Sequence, residues 1–323
     1  MAQIGDELLE RVFGERLVRE GDKFRLGGRD VPFRNGILRF TPDVSYATGN
    51  FSRLRERHAR LQLDSANGTR DRLDTILART RWPREFFRGK LVLECGSGAG
   101  PDTEVLLGLG ASVVSVDIAG VDVCRANVGD HPNSLIVQAS IDDLPFREHS
   151  FDIVWCHRVL QHTPSPARTL DHILRFVRKD GAAFVHSYAR SFHQMFSWKY
   201  ALRPITRRMD PQTLYACVEA CAPALFRFTS ALHRVRPRRL AALLSRIAHH
   251  VVPVRNYRSS PQFAGKDDAY LIEFAIHDTF DCLSPRFDSP LSARAFREIA
   301  GHRLARDFEV FEASDVTLLR TRV

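Results

Sequence analysis

Residues 91–100 read Leu-Val-Leu-Glu-Cys-Gly-Ser-Gly-Ala-Gly. An apolar run from Lys90 to Leu93 leads into Glu94; glycines follow at Gly96, Gly98 and Gly100, and a helical pattern runs from Asp102 to Leu109. The order is strand, glycine turn, helix. Glycine lets a ligand approach the main chain closely, and the helix start offers free N–H groups and a positive dipole end. A second apolar run, Ala111 to Val116, ends at Asp117. An acid roughly 20 residues past the glycines is where Rossmann-like sites hold a ribose hydroxyl pair.

Two features argue against a nicotinamide cofactor. The glycines run G-x-G-x-G rather than G-x-G-x-x-G, and Glu94 stands just before them. A pyrophosphate would be repelled there, whereas a cationic amino-acid head group would be attracted. Glu94 and Asp117 together suit S-adenosylmethionine.

Further motifs follow in order. They are V-S-V-D at Val114–Asp117, D-L-P-F at Asp143–Phe146, S-F-D-I-V at Ser150–Val154, V-L-Q-H-T at Val159–Thr163 and a Lys179-Asp180-Gly181 turn. With E-x-G-x-G-x-G at Glu94–Gly100 they make residues 91–188 resemble a class I S-adenosylmethionine-dependent methyltransferase. The resemblance implies an α/β fold with a Rossmann-like seven-stranded sheet and helices on both faces. It implies a cofactor site at Glu94, Gly96, Ser97, Gly98, Gly100, Asp117, Ile118, Ser140, Ile141, Asp142 and His157. Glu94 is assigned to the cofactor's amino group and Asp117 to its ribose. Ser140 stands where relatives commonly carry an acid, so Ser140, Ile141 or Asp142 would meet the adenine. His162 is the candidate base that removes the acceptor's proton, since its pKa lies near working pH.

The chain divides at composition breaks. Residues 1–45 read as a small α+β appendage: a helix over 4–13, then hairpins across Arg16–Arg19, Lys23–Leu26 and Val31–Phe40. Its end, Asp30–Phe40, resembles the tail of a zinc-ribbon-like segment that precedes some bacterial methyltransferases. No cysteine occurs before Cys95, so no metal is expected. Thr41–Asn50 reads as a polar linker and Phe51–Leu63 as helical. Residues 46–188 hold the core, with strands at 91–94, 112–117, 135–138, 153–156 and 183–187. Helices are expected near 102–109, 122–128, 142–145 and 165–178. Residues 189–265 read as a helical, arginine-rich insertion after the fifth strand, and 266–323 as completion of the sheet.

Composition narrows the function. Five of the 47 basic residues are lysine, so 42 are arginine, and the net charge is +9. The six scattered cysteines form no C-x-x-C pair, which fits reduced thiols in a cytoplasmic setting. No run approaches the roughly 20 apolar residues of a membrane span, and Met1–Glu10 lacks an apolar leader. N-P-P-Y and Pro-Cys are both missing after the fourth strand, which argues against amino- and cytosine-methylating nucleic-acid enzymes. The expected acceptor is a small molecule, sugar or lipid-linked glycan, with O-methylation favoured. An RNA methyltransferase and a non-catalytic cofactor-binding protein are the alternatives.

The insertion carries two apolar rows. Leu214, Val218, Cys221, Leu225, Phe228 and Leu232 form the first, with a break or kink expected at Pro223. Leu240, Leu243, Leu244, Ile247 and Val251 form the second, beside Arg238, Arg239 and Arg246. Two such rows would bury each other or cover the acceptor. A basic amphipathic helix resting on an anionic membrane is the competing expectation.

Overall fold

The structure is a computed structural model. It describes residues 6–15, 17–41, 53–189, 198–258, 260, 263–313 and 316–323. The linker expected at Thr41–Asn50 falls almost wholly outside these residues. The described residues form two compact units, those within 1–190 together with 287–323, and those within 191–286.

The first unit opens with α1 (Asp6–Phe13), then β1 (Val18–Glu20), β2 (Lys23–Leu26), β3 (Arg29–Arg34) and β4 (Ile37–Arg39). Helices α2 (Arg53–Arg57), α3 (Asp64–Asn67) and α4 (Asp71–Thr80) precede a 3₁₀ turn at Arg84–Phe87. The alternating part follows: β5 (Leu91–Cys95), α5 (Pro101–Gly108), β6 (Ser112–Asp117), α6 (Val121–Val128), β7 (Ser134–Gln138), β8 (Phe151–His157), a 3₁₀ turn at Leu160–His162, α7 (Pro166–Leu174) and β9 (Val177–Tyr188).

Strands β4 to β9 run parallel in the order β4-β7-β6-β5-β8-β9. The crossover helices of a parallel sheet lie on its faces, so its strands are covered on both sides. One face packs Leu93, Val154 and Val185 against Leu9, Leu170 and Phe296. The other packs Val92, Trp155 and Phe184 against Ile76, Phe87 and Leu106. All seven residues of β8 are buried, as a central strand covered on both faces requires.

Among the described residues the sheet has eleven strands rather than the expected seven. The additional four are β1–β4. Strand β4 pairs in parallel with β7, Ile37 against Ile136, so the N-terminal ribbon continues the main sheet instead of standing apart. No turn of helix forms at 142–145. Leu144 precedes Pro145, and a residue before proline is pushed out of the helical region.

In the second unit, α8 (Trp198–Thr206), α9 (Pro211–Leu232), α10 (Arg238–Val251) and α11 (Asp268–Leu283) follow one another. The first unit then closes with α12 (Ala293–Arg303), β10 (Phe308–Ala313) and β11 (Val316–Thr321). Strand β11 lies antiparallel between β9 and β10. The composition break at 265 assigns α11 to the closing segment, yet this helix belongs with the helical unit, where Phe280 packs on Tyr215 of α9.

In the helical unit one alternative of each of two expectations does not occur. Helix α9 runs through Pro223 without a break. Pro223 has no N–H to offer the residue four positions back, Glu219, which is exposed. The buried row of α9 is Leu214, Val218, Ala222, Phe226 and Thr229, so Cys221 and Phe228 face outward. Helix α10 buries Ala241 and Ala248, while Leu240, Leu243, Ile247 and Val251 are exposed. The two apolar rows therefore do not bury each other.

Candidate functional site

The glycine loop joins β5 to α5. Gly96 and Ser97 both donate their N–H to the Val116 carbonyl, at 2.7 and 3.0 Å, which ties the loop to the end of β6. A Cβ at Gly96 would stand 2.3 Å from Val159 Cγ2, and the residue has φ +86°, so only glycine fits. Gly100 precedes the first turn of α5, and its N–H bonds the Ser97 carbonyl at 2.9 Å.

Asp117 ends β6 beside this loop. One of its carboxylate oxygens accepts the Gly98 N–H at 2.8 Å. The other accepts the N–H groups of Ala119 and Gly120, at 2.9 and 3.1 Å. Gly120 was missed by sequence reasoning. A Cβ there would lie 2.5 Å from the Gly98 carbonyl, so the turn after β6 can touch the glycine loop only through a glycine. Arg55 of α2 is a second missed residue. Its Nε would be 3.0 Å from a Cβ on Gly98. Asp117, Gly98 and Arg55 thus meet at the carboxyl ends of β5 and β6, where ligands of such sheets bind.

Glu94 faces inward. It is 2 % exposed and accepts the hydroxyls of Thr103 and Ser115 at 2.6 and 2.8 Å. Burial, reinforced by the negative charge of Asp102, pushes its carboxyl up to about 7; the two hydroxyls and Arg72 offset part of this.

Asp102, in the first turn of α5, is the hub of a buried network. It accepts from Arg72 Nε, from Trp155 Nε1 at 2.8 Å and from His157 Nδ1 at 2.7 Å. Burial alone would raise its carboxyl. Arg72, His157 and these hydrogen bonds overcome that and hold it below the ordinary carboxylate range. His157 has Arg79 Nη1 against its Nε2 at 2.8 Å. Burial drives this imidazole down to about 3 despite Asp102. It is therefore neutral, with its proton on Nδ1 and its lone pair turned to Arg79. Both ring nitrogens of His157 are engaged by protein groups, so it acts here as a brace that ties β8 to α4 and α5. Its neighbour His186, on β9, is also buried, with ring centroids 4.7 Å apart.

The turn after β8 carries His162. Arg158 takes φ +64°, a conformation that costs a non-glycine residue energy and tends to persist at functional sites. Its N–H bonds the His186 carbonyl, and its carbonyl accepts Gln161 Nε2, each at 2.9 Å. Gln161 in turn accepts from Ser187 Oγ at 3.1 Å. His162 Nδ1 lies 3.1 Å from the Phe287 carbonyl. A carbonyl can only accept, so Nδ1 carries the proton and Nε2 is the basic nitrogen. Tyr188 stands edge-on to the imidazole, with centroids 5.8 Å apart. Phe287 gave no signal in the sequence, because its contribution is a backbone carbonyl 125 residues away.

The adenine candidates lie after β7. Ser140 Oγ accepts the Asp142 N–H at 3.2 Å. Asp142 accepts the Thr169 hydroxyl of α7, which turns its carboxylate toward that helix. Ile141 is buried. The Ile118 carbonyl accepts Gln138 Nε2 at 3.2 Å. Gln138 also accepts from Arg39 of β4 at 2.8 Å, so the N-terminal ribbon braces the strand ends on this side. Among the described residues no cluster of three or more His, Cys, Asp or Glu could hold a metal. No described helix is long and apolar enough to cross a membrane.

Comparisons with known proteins found these likenesses. Residues 93–185 match the methyltransferase domain family. A ubiquinone biosynthesis O-methyltransferase of Glaesserella parasuis is 31% identical over 112 residues, 32% of this chain and 47% of the relative. One of Thiobacillus denitrificans is 31% identical over 120 residues, 35% of this chain and 51% of the relative. The chain thus spans about half the length of the curated relatives it matches. A solved Methanococcus maripaludis protein, described as an S-adenosyl-L-methionine-dependent methyltransferase, aligns with 87% of this chain and 96% of its own at 9% identity and a TM-score of 0.44.

Proposed function

We propose that this chain, which carries a class I S-adenosylmethionine-dependent methyltransferase domain, methylates an oxygen of a small molecule, sugar or lipid-linked glycan. The residues present fit the cofactor. Gly98 keeps the loop free of a side chain where the Arg55 guanidinium approaches it, Asp117 offers a carboxylate for a ribose, and Arg55 offers a cation for a carboxylate. When bound, the cofactor supplies a sulfonium methyl carbon open to in-line attack. Asp117, tied to Gly98, Ala119 and Gly120, holds the two loops at a fixed spacing. Ser140 and Ile141 flank the place expected for adenine.

The observation that carries the reading is His162. Its Nδ1 is held on the Phe287 carbonyl, which keeps Nε2 basic at the carboxyl end of β8. A base oriented by a third group is what deprotonation of an acceptor hydroxyl requires. The names of the curated relatives favour oxygen as the methylated atom. The test uses the purified full chain, methyl-labelled S-adenosylmethionine and fractionated metabolites and glycans. His162→Ala should lower product formation by roughly 10²-fold while cofactor affinity stays unchanged. Unaltered turnover in His162→Ala and His162→Gln would remove His162 from the chemistry.

A further inference from the structure

Helix α10 is amphipathic the wrong way round for a helix that serves only to pack. Its buried positions are the small side chains Ala241 and Ala248. Of its large ones Leu244 is half-buried, while Leu240, Leu243, Ile247 and Val251 are 42, 53, 51 and 67% exposed. At the spacings 3, 4 and 4 they form a single row along the outer face. Arg239 and Arg246, two turns apart, border that row, and Arg238 opens the helix. All three are exposed and form no ion pair among the described residues.

The surrounding charge is one-sided. From Ala220 to Lys266 the chain has nine Lys and Arg residues and not one Asp or Glu. Leaving a row of aliphatic side chains in water costs free energy, so this face is built to be covered.

We propose that the outer face of α10 lies in the surface of an anionic lipid bilayer. That surface is apolar and negative within a few ångströms of depth, and α10 presents both complements at once. The aliphatic row enters the acyl boundary, while Arg239 and Arg246 extend their stems along it and keep their guanidinium groups among the head groups. A second copy of this helix is a poor cover, because the arginine borders would meet each other. Nucleic acid would use the arginines but would leave the aliphatic row exposed.

The test is co-sedimentation of the full chain with vesicles of phosphatidylcholine alone, or with one third phosphatidylglycerol. The wild type should bind the anionic vesicles, and bind them less as salt rises. Replacing Arg239 and Arg246 by Ser should weaken binding roughly fivefold per arginine. The double variant Leu243→Asp, Ile247→Asp should abolish binding without moving the melting temperature, since both side chains are more than half exposed. No binding by the wild type, equal binding to neutral vesicles, or unchanged binding by the variants would each overturn the proposal. So would a wild-type dimer that the aspartates dissociate in the absence of lipid. Binding of a single-stranded RNA that the serines abolish and the aspartates leave intact would overturn it in favour of nucleic acid.

Discussion

Replacing Glu94 by glutamine should change how stability depends on pH. Glu94 is ionisable, 2 % exposed and satisfied by two hydroxyls rather than by a cation. Its carboxyl lies at about 7 in the folded chain, against an ordinary value of 4.5. A group whose pKa is higher in the folded state stabilises the fold below the unfolded value, and that contribution is lost as pH rises through the folded value. The penalty of ionised Glu94 therefore grows from pH 4.5 upward and is complete a little above 7. At 1.36 kcal/mol per pH unit, the gap corresponds to a limit on the order of 3 kcal/mol. The glutamine side chain would keep the shape and could bond the same hydroxyls, but would not titrate. Urea unfolding of wild type and Glu94→Gln, without cofactor, should show the variant gaining on the wild type by up to that amount between pH 5 and pH 8. The gain should be absent at pH 4.5 and below. Parallel stability curves would mean instead that Glu94 ionises as freely in the folded chain as in the unfolded one.

Other substitutions probe the framework around it. Asp102→Asn removes the buried carboxylate that pairs with partly buried Arg72 and should cost about 3 kcal/mol in chemical unfolding. Gly96→Ala meets Val159 at a left-handed φ and should destabilise by about 1–3 kcal/mol, while Gly129→Ala, with nothing within 4 Å, should cost only the backbone strain. His157→Gln should lower thermal stability more than it alters the pH profile of turnover, because the ring is already neutral and braced by Asp102 and Arg79.

The sheet was legible in the sequence because its strands are continuous apolar runs that end in punctuation. Val113 to Val116 stops at Asp117, and Leu91 to Leu93 stops at the glycines. Such runs report burial on both faces directly. The loop contacts were less legible, since Asp117 could be placed at the site but not its three N–H partners. Glu94 read as a ligand-facing acid, yet its carboxylate turns to Thr103 and Ser115, residues whose small hydroxyls carry little pattern. The joining of β4 to β7 was hidden for a different reason. It brings residues 37–39 against 136–138, and pairing at that separation leaves no local mark. In the helical unit, periodicity found the apolar rows but not their direction. Whether Leu243 or Ala241 faces inward depends on what the neighbouring helix can accommodate, which an amphipathic pattern does not encode.

The most direct test of the account is calorimetric titration of S-adenosylmethionine into the purified full chain, wild type and Asp117→Ala. The wild type should bind one cofactor per chain and should not bind NAD. Asp117→Ala should lose roughly 1.5–3 kcal/mol of binding, the range for hydrogen bonds to a charged group, with its circular dichroism unchanged. Absence of S-adenosylmethionine binding in the wild type, or equal affinity in the variant, would contradict the assignment of this site.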